Sequence, residues 1–84
     1  MNERVMFEGM RAEKRRSLRD LVTRANGLVS AIHIQTHPFL KVEELRVDQI
    51  ASQARDLEKH VYKIRALMDE IAALNRELGE DEDG

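Results

Sequence analysis

The stretch IASQARDLEKHVYKIRALMDEIAALNREL, residues 50–78, decides the fold. In it Ile50, Ala54, Leu57, Val61, Ile64, Met68, Ile71 and Leu78 recur at alternating steps of four and three, and only Asn75 interrupts them. A strand would place apolar residues at every second position, so this pattern is helical. The mean step is close to 3.5, the repeat of a left-handed coiled-coil seam. Leu45, Val47, Ala51, Leu67 and Leu74 widen the stripe. Charged residues such as Arg46, Arg55, Lys59, Lys63, Arg65 and Asp69 occupy the opposite face. No Gly or Pro falls between Val42 and Leu78, so one helix is expected over about residues 42–78. At 1.5 Å per residue it would be roughly 54 Å long. Gly79 stands where a helix C-cap belongs, and residues 80–84, Glu-Asp-Glu-Asp-Gly, read as a disordered acidic tail. Asn75, close to that end, is expected to lie in water; the alternative is a polar seam residue that sets register at some cost in stability.

Upstream, Leu18, Leu21, Val22, Ala25, Leu28, Val29 and Ile32 form a second stripe of helical period. Val5, Met6, Phe7 and Met10 extend it by two turns, although Arg11, Lys14 and Arg15 weaken the join. Ser17 and Asp20 offer a cap for a shorter helix. Residues 10–16 are good helix formers, which favours one helix over about residues 4–35. Gly27 costs about 1 kcal/mol relative to Ala, and a close helix contact would explain it. Pro38 cannot sit inside a helix and pushes His37 out of the α region, so a turn is expected at about residues 36–41. So short a connection makes the helices antiparallel neighbours. With the turn near residue 38, residue i would face about residue 76 − i.

The fold expected is therefore all-α: an antiparallel two-helix hairpin with coiled-coil-like packing. A hairpin is one layer, and each stripe meets only its neighbour. A chain of 84 residues with one Tyr, two Phe and no Trp has little bulk for a core of its own. Cores in chains not much shorter than this seldom supply more than about 3–5 kcal/mol. Burying some ten more Leu, Ile, Val and Met side chains, at ~1.5 kcal/mol or more each, favours docking two hairpins into a four-helix bundle. A homo-oligomer, most simply a dimer, is expected. Its interface would use Leu18, Leu21, Val22, Ala25, Leu28, Val29, Ile32, Ile50, Leu57, Val61, Ile64, Met68, Ile71 and Leu78.

The absence of cysteine removes disulfides, thiolate metal sites and a Cys nucleophile. No apolar run has the length of a signal peptide or a membrane span, so a cytoplasmic protein without a membrane partner is expected. The net charge of −2 hides an asymmetry: residues 1–41 hold eight Lys/Arg against four Asp/Glu, and residues 42–84 hold six against twelve. The excess of positive charge lies in Arg11, Lys14, Arg15, Arg16, Arg19 and Arg24. Arg11, Arg15 and Arg19 are four apart and would line one helix face, a spacing that can follow a phosphate backbone or an acidic protein. Pairing with acidic residues of the second helix is the plainer use. Stacking aromatics, which accompany many single-strand binders, are missing.

Catalytic patterns are weak. His33 and His37 are four apart, but Pro38 takes His37 off the helix face, and His near a helix C-terminus is favoured by the dipole alone. His60 has a Lys three residues on, as phosphorelay histidines can, but Ile64 follows where those modules place a small residue. Ser52-Gln53-Ala54-Arg55-Asp56, with Tyr62 six residues later, resembles the motif of the small hairpin phosphatases that act on sporulation response regulators. The resemblance covers about eleven residues and implies Gln53 and Asp56 as acting groups. Arg55, Glu58 and Lys59 depart from it where aliphatics belong. There is no Gly-rich phosphate loop, no triad around Ser17, Ser30 or Ser52, and the carboxylate pairs Glu43-Glu44 and Asp69-Glu70 lie on polar faces without a neighbour to shift them. Neither cofactor nor metal is expected. The sequence reads as a non-catalytic, self-associating interaction module, with a nucleic-acid-associated protein using residues 11–24 as the runner-up.

Overall fold

The computed structural model describes residues 2–79; the expected acidic tail lies outside them. Two long helices pack against each other: α1, Glu3–Gln35, and α2, Val47–Glu77. A single 3-10 turn, Val42–Glu44, interrupts the connection, and the described residues contain no strand. The hairpin measures 61 × 23 × 14 Å, one helix layer thick. No helix is long and apolar enough to cross a membrane, among the described residues.

α1 is one uninterrupted helix. Asn2 caps it, its Oδ1 accepting from Arg4 N at 2.9 Å, so the alternative start at Ser17 is not used. It ends where Pro38 demands: Thr36 N donates to the His33 carbonyl, and His37 Nδ1 then accepts from Phe39 N at 3.1 Å. α2 closes at Gly79, whose φ of +71° is the left-handed conformation that favours glycine after a helix. Gly79 N bonds the Arg76 carbonyl there.

α2 begins at Val47, five residues later than the sequence pattern predicts. Continuing its inward face backwards from Ile50 would bring Arg46 and Glu43 to it, and α1 has already stopped at Gln35. A helical turn there would have charged residues facing no partner, and helices of this kind draw their stability from packing. The longer connection also moves the register. In four cross-helix side-chain bonds, the two residue numbers total between 82 and 88: Arg4 with Leu78, Lys14 with Glu70, Arg11 with Asn75 and Gln35 with Gln53. Residue i therefore faces about residue 85 − i, not 76 − i.

The inward face of α1 is Phe7, Arg11, Lys14, Leu18, Leu21, Ala25, Leu28, Ile32 and Gln35, all at least partly buried and spaced alternately four and three. Its counterpart on α2 is Ile50, Gln53, Leu57, His60, Ile64, Leu67, Ile71, Leu74 and Leu78, with the same alternation. The sequence pattern points to Ala54, Val61, Met68 and Asn75 for the second column of α2; the seam within the hairpin uses Gln53, His60, Leu67 and Leu74 instead. Arg11 and Lys14, which read as interruptions, are seam residues: their stems cover apolar neighbours while their heads reach Asn75 Oδ1 at 2.9 Å and Glu70 Oε2 at 3.1 Å. Asn75, expected in water, is 4% exposed. Gly27 marks no close contact, since a Cβ added there would meet nothing within 4 Å.

Candidate interaction surface

The seam does not dry itself. Among the described residues no side chain is fully buried, and only Ala25, Ile71, Leu74 and Leu78 form a buried apolar core. What is left over lies unevenly on the two flanks. On each helix one flank column follows the seam at a spacing of seven. On α1 it is Glu8, Arg15, Val22, Val29 and Thr36. On α2 it is Val47, Ala54, Val61, Met68 and Asn75. Because the helices run in opposite directions, these two columns fall on the same side of the hairpin, and the bond from Arg11 to Asn75 closes over that side. The other side carries Met10, Ser17, Arg24 and Ala31 with Gln49, Asp56, Lys63, Glu70 and Glu77, and the Lys14–Glu70 ion pair belongs to it.

One flank is thus mostly polar, Met10 and Ala31 aside. The other has an apolar ladder from Met68 through Val22, Val61, Val29 and Ala54 to Val47. Val22, Val29, Met68 and Val47 expose 39%, 51%, 53% and 62% of their surface. From residue 47 to residue 68 the ladder is about 32 Å long. Of the fourteen residues expected at an oligomer interface, ten are taken up by the hairpin's own seam. Val22, Val29, Val61 and Met68 face outward on this flank, and Val47 and Ala54 join them. The signal that separates the two groups is not in α2 alone. Its stripe is three columns wide, and the register against α1 selects which two close the hairpin.

The basic cluster divides in the same way. Arg11 and Lys14 turn into the seam. Arg15, Arg16 and Arg19 are exposed, with Glu13 and Asp20 on either side of them. Arg4 works at the open end, its Nη1 donating to the Leu78 carbonyl at 3.1 Å and its Nε pairing with Glu8 at 3.1 Å. A cation at the C-terminus of α2 complements the helix dipole.

The histidines and the phosphatase-like segment are not brought to a common site. His60 lies in the seam at the height of Ala25, with Nδ1 donating to the Asp56 carbonyl at 2.7 Å. Gln53 Oε1 accepts from Gln35 Nε2 at 2.6 Å inside the seam, while Asp56 and Tyr62 point to solvent. A shallow groove of about 380 Å³ lies beside that glutamine pair, lined by Ala31, Ile34, Gln35, Arg46, Gln49 and Gln53. No group of three or more His, Asp or Glu is arranged to hold a metal ion, among the described residues. No known protein family, curated protein or solved structure matches the chain.

Proposed function

We propose that this chain is a small self-associating helical interaction module, without catalytic activity, whose helices pack as an antiparallel coiled coil and whose apolar flank closes on a further helical layer. Such a module acts as an adaptor, a chaperone or a regulator by presenting its remaining polar faces to another protein. The observation that carries the reading is unshielded surface. The chain exposes 6640 Å², whereas a folded monomer of 9.7 kDa exposes roughly 5,100 Å². The excess is larger than the ~800 Å² that one partner brings to a standard interface. Part of it is the continuous ladder on one flank, where Val22, Val29, Val47 and Met68 are exposed, as an apolar interface would be.

Replacing both Val29 and Val61 by Asp tests this. The wild-type chain sediments as an oligomer, and the double variant sediments as a monomer. A wild type that stays monomeric and folded at high concentration refutes self-association. The nucleic-acid reading has less support, because two members of the basic cluster are spent inside the hairpin and Glu13 and Asp20 flank the exposed Arg15, Arg16 and Arg19. It predicts a mobility shift on DNA or RNA at low salt that fades steeply as salt rises and disappears when Arg15 and Arg19 become Glu.

A further inference from the structure

We infer that the apolar flank is occupied by a second copy of this chain turned end for end, with α2 lying against α2 of its partner about a two-fold axis near Val61. The inference rests on the self-association proposed above and gives it a geometry. The flank column of α2, Val47, Ala54, Val61 and Met68, is bordered on its outer side by Ala51, Glu58, Arg65 and Ala72. The two columns alternate four and three residues apart from Val47 to Ala72, which makes a second seam on the same helix. Small residues at 51, 54 and 72 allow a close approach.

The border column reads small, negative, positive, small. A two-fold interface pairs residue i with j and j with i. Turning the column end for end about a point between residues 61 and 62 sets Glu58 against Arg65 of the partner subunit, Arg65 against Glu58 of the partner subunit, and alanine against alanine. The same axis stacks Val61 on itself and Ala54 on Met68. Glu58 and Arg65 are both exposed and hold no ion pair among the described residues, so both heads are free for this role.

Charge also rejects the other way of stacking two hairpins. With both turns at the same end, α1 would cross α2 of the partner at equal height. The observed register puts Arg19 level with residue 65–66. Arg19 occupies the border column of α1, so that arrangement would oppose Arg19 and Arg65 twice across the axis. Like-charge juxtaposition of this kind selects against a wrong pairing.

Sedimentation equilibrium of the full chain carries the test, with Glu58→Arg, Arg65→Glu and the double exchange, and with helical circular dichroism confirming that each variant folds. Each single reversal is expected to weaken dimerisation roughly tenfold at low salt, because two attractive pairs become two repulsive ones. The double exchange restores the wild-type constant to within about threefold. Val61→Cys, in a chain that otherwise lacks cysteine, is expected to cross-link to itself on oxidation, as a residue on the axis must. If Arg65→Glu tightens the dimer, or both single reversals leave it unchanged, this geometry is wrong and self-association stands. A dimer of the Val61→Cys variant that gives no cross-link on oxidation also overturns the geometry. A monomeric wild type overturns both readings.

Discussion

The two ends of this hairpin are built from the same periodic pattern and are dried to different degrees. At the open end α2 supplies Ile71, Leu74 and Leu78, which are 7%, 8% and 5% exposed. Their partners on α1 are Phe7, Arg11 and Lys14, two of them charged. At the turn end α2 supplies Ile50, Gln53 and Leu57, facing Leu28, Ile32 and Gln35, and none of the six is buried. Each facing has four apolar residues of six, and the one that carries the charged pair is the better covered. Long amphipathic side chains explain the inversion: Arg11 and Lys14 are partly buried in the seam while their heads reach Asn75 and Glu70 at its edges, and Arg4 reaches the Leu78 carbonyl at its end. Leu and Ile at the turn end reach across to their counterparts and no further, so their outer edges stay open to solvent. The exposed ladder from Val22 to Val47 belongs to that same half of the molecule.

The largest expected effect is at the open end. Leu74→Ala removes a buried side chain from a short core, and a loss of about 3 kcal/mol is expected. In a hairpin of this size that removes most of the stability, seen as collapse of the helical circular dichroism melt. Leu57→Ala, at the less covered end, is expected to cost about 1.5 kcal/mol at low protein concentration. That cost should grow with concentration as association covers the site. Equal losses at both positions in the monomer would erase the contrast between the ends.

A smaller pair of substitutions sharpens the explanation. Arg11→Ala removes both the stem that covers the seam and the hydrogen bond that satisfies Asn75, and about 1–1.5 kcal/mol is expected. Arg11→Met keeps an unbranched stem and loses only the head. If coverage is the main contribution, chemical denaturation should show Met recovering at least half of the loss. If Met is as damaging as Ala, the bond to Asn75 is what matters, and stem cover is the wrong account of the dry end.

These contrasts also show what the sequence could and could not convey. The helical class, the two long helices and the break forced by Pro38 follow from local chemistry, and the hairpin follows from the break. The seam does not, because it is a relation between two helices. Ile50, Leu57, Ile64, Ile71 and Leu78 belong to it under either choice of second column. Ala54, Val61 and Met68 look like better partners for them than Gln53 and His60 do, so apolar pattern alone selects the flank. Register decides otherwise, and register depends on where α2 starts. That start depends in turn on where α1 runs out. Arg11 and Lys14 were legible as charge and hidden as cover, since a one-dimensional pattern does not say which way a stem lies. The candidate interface was therefore visible as a set of residues and invisible as a surface.

The smallest effect separates coverage from helix propensity. Gly27 lies in the turn half of α1, exposed, with nothing within 4 Å of the position a Cβ would take. Gly27→Ala is expected to stabilise the chain by about 0.5–1 kcal/mol through the unfolded state, with no change in packing. If poor cover is what leaves the turn half loose, amide exchange in the alanine variant should slow by a similar factor over residues 50–57 and 71–78, and the faster exchange of 50–57 should persist. If the glycine itself loosens that half, the added alanine should bring the two segments to equal protection, and the inversion between the ends would then trace to one flexible residue rather than to the stems that cross the seam.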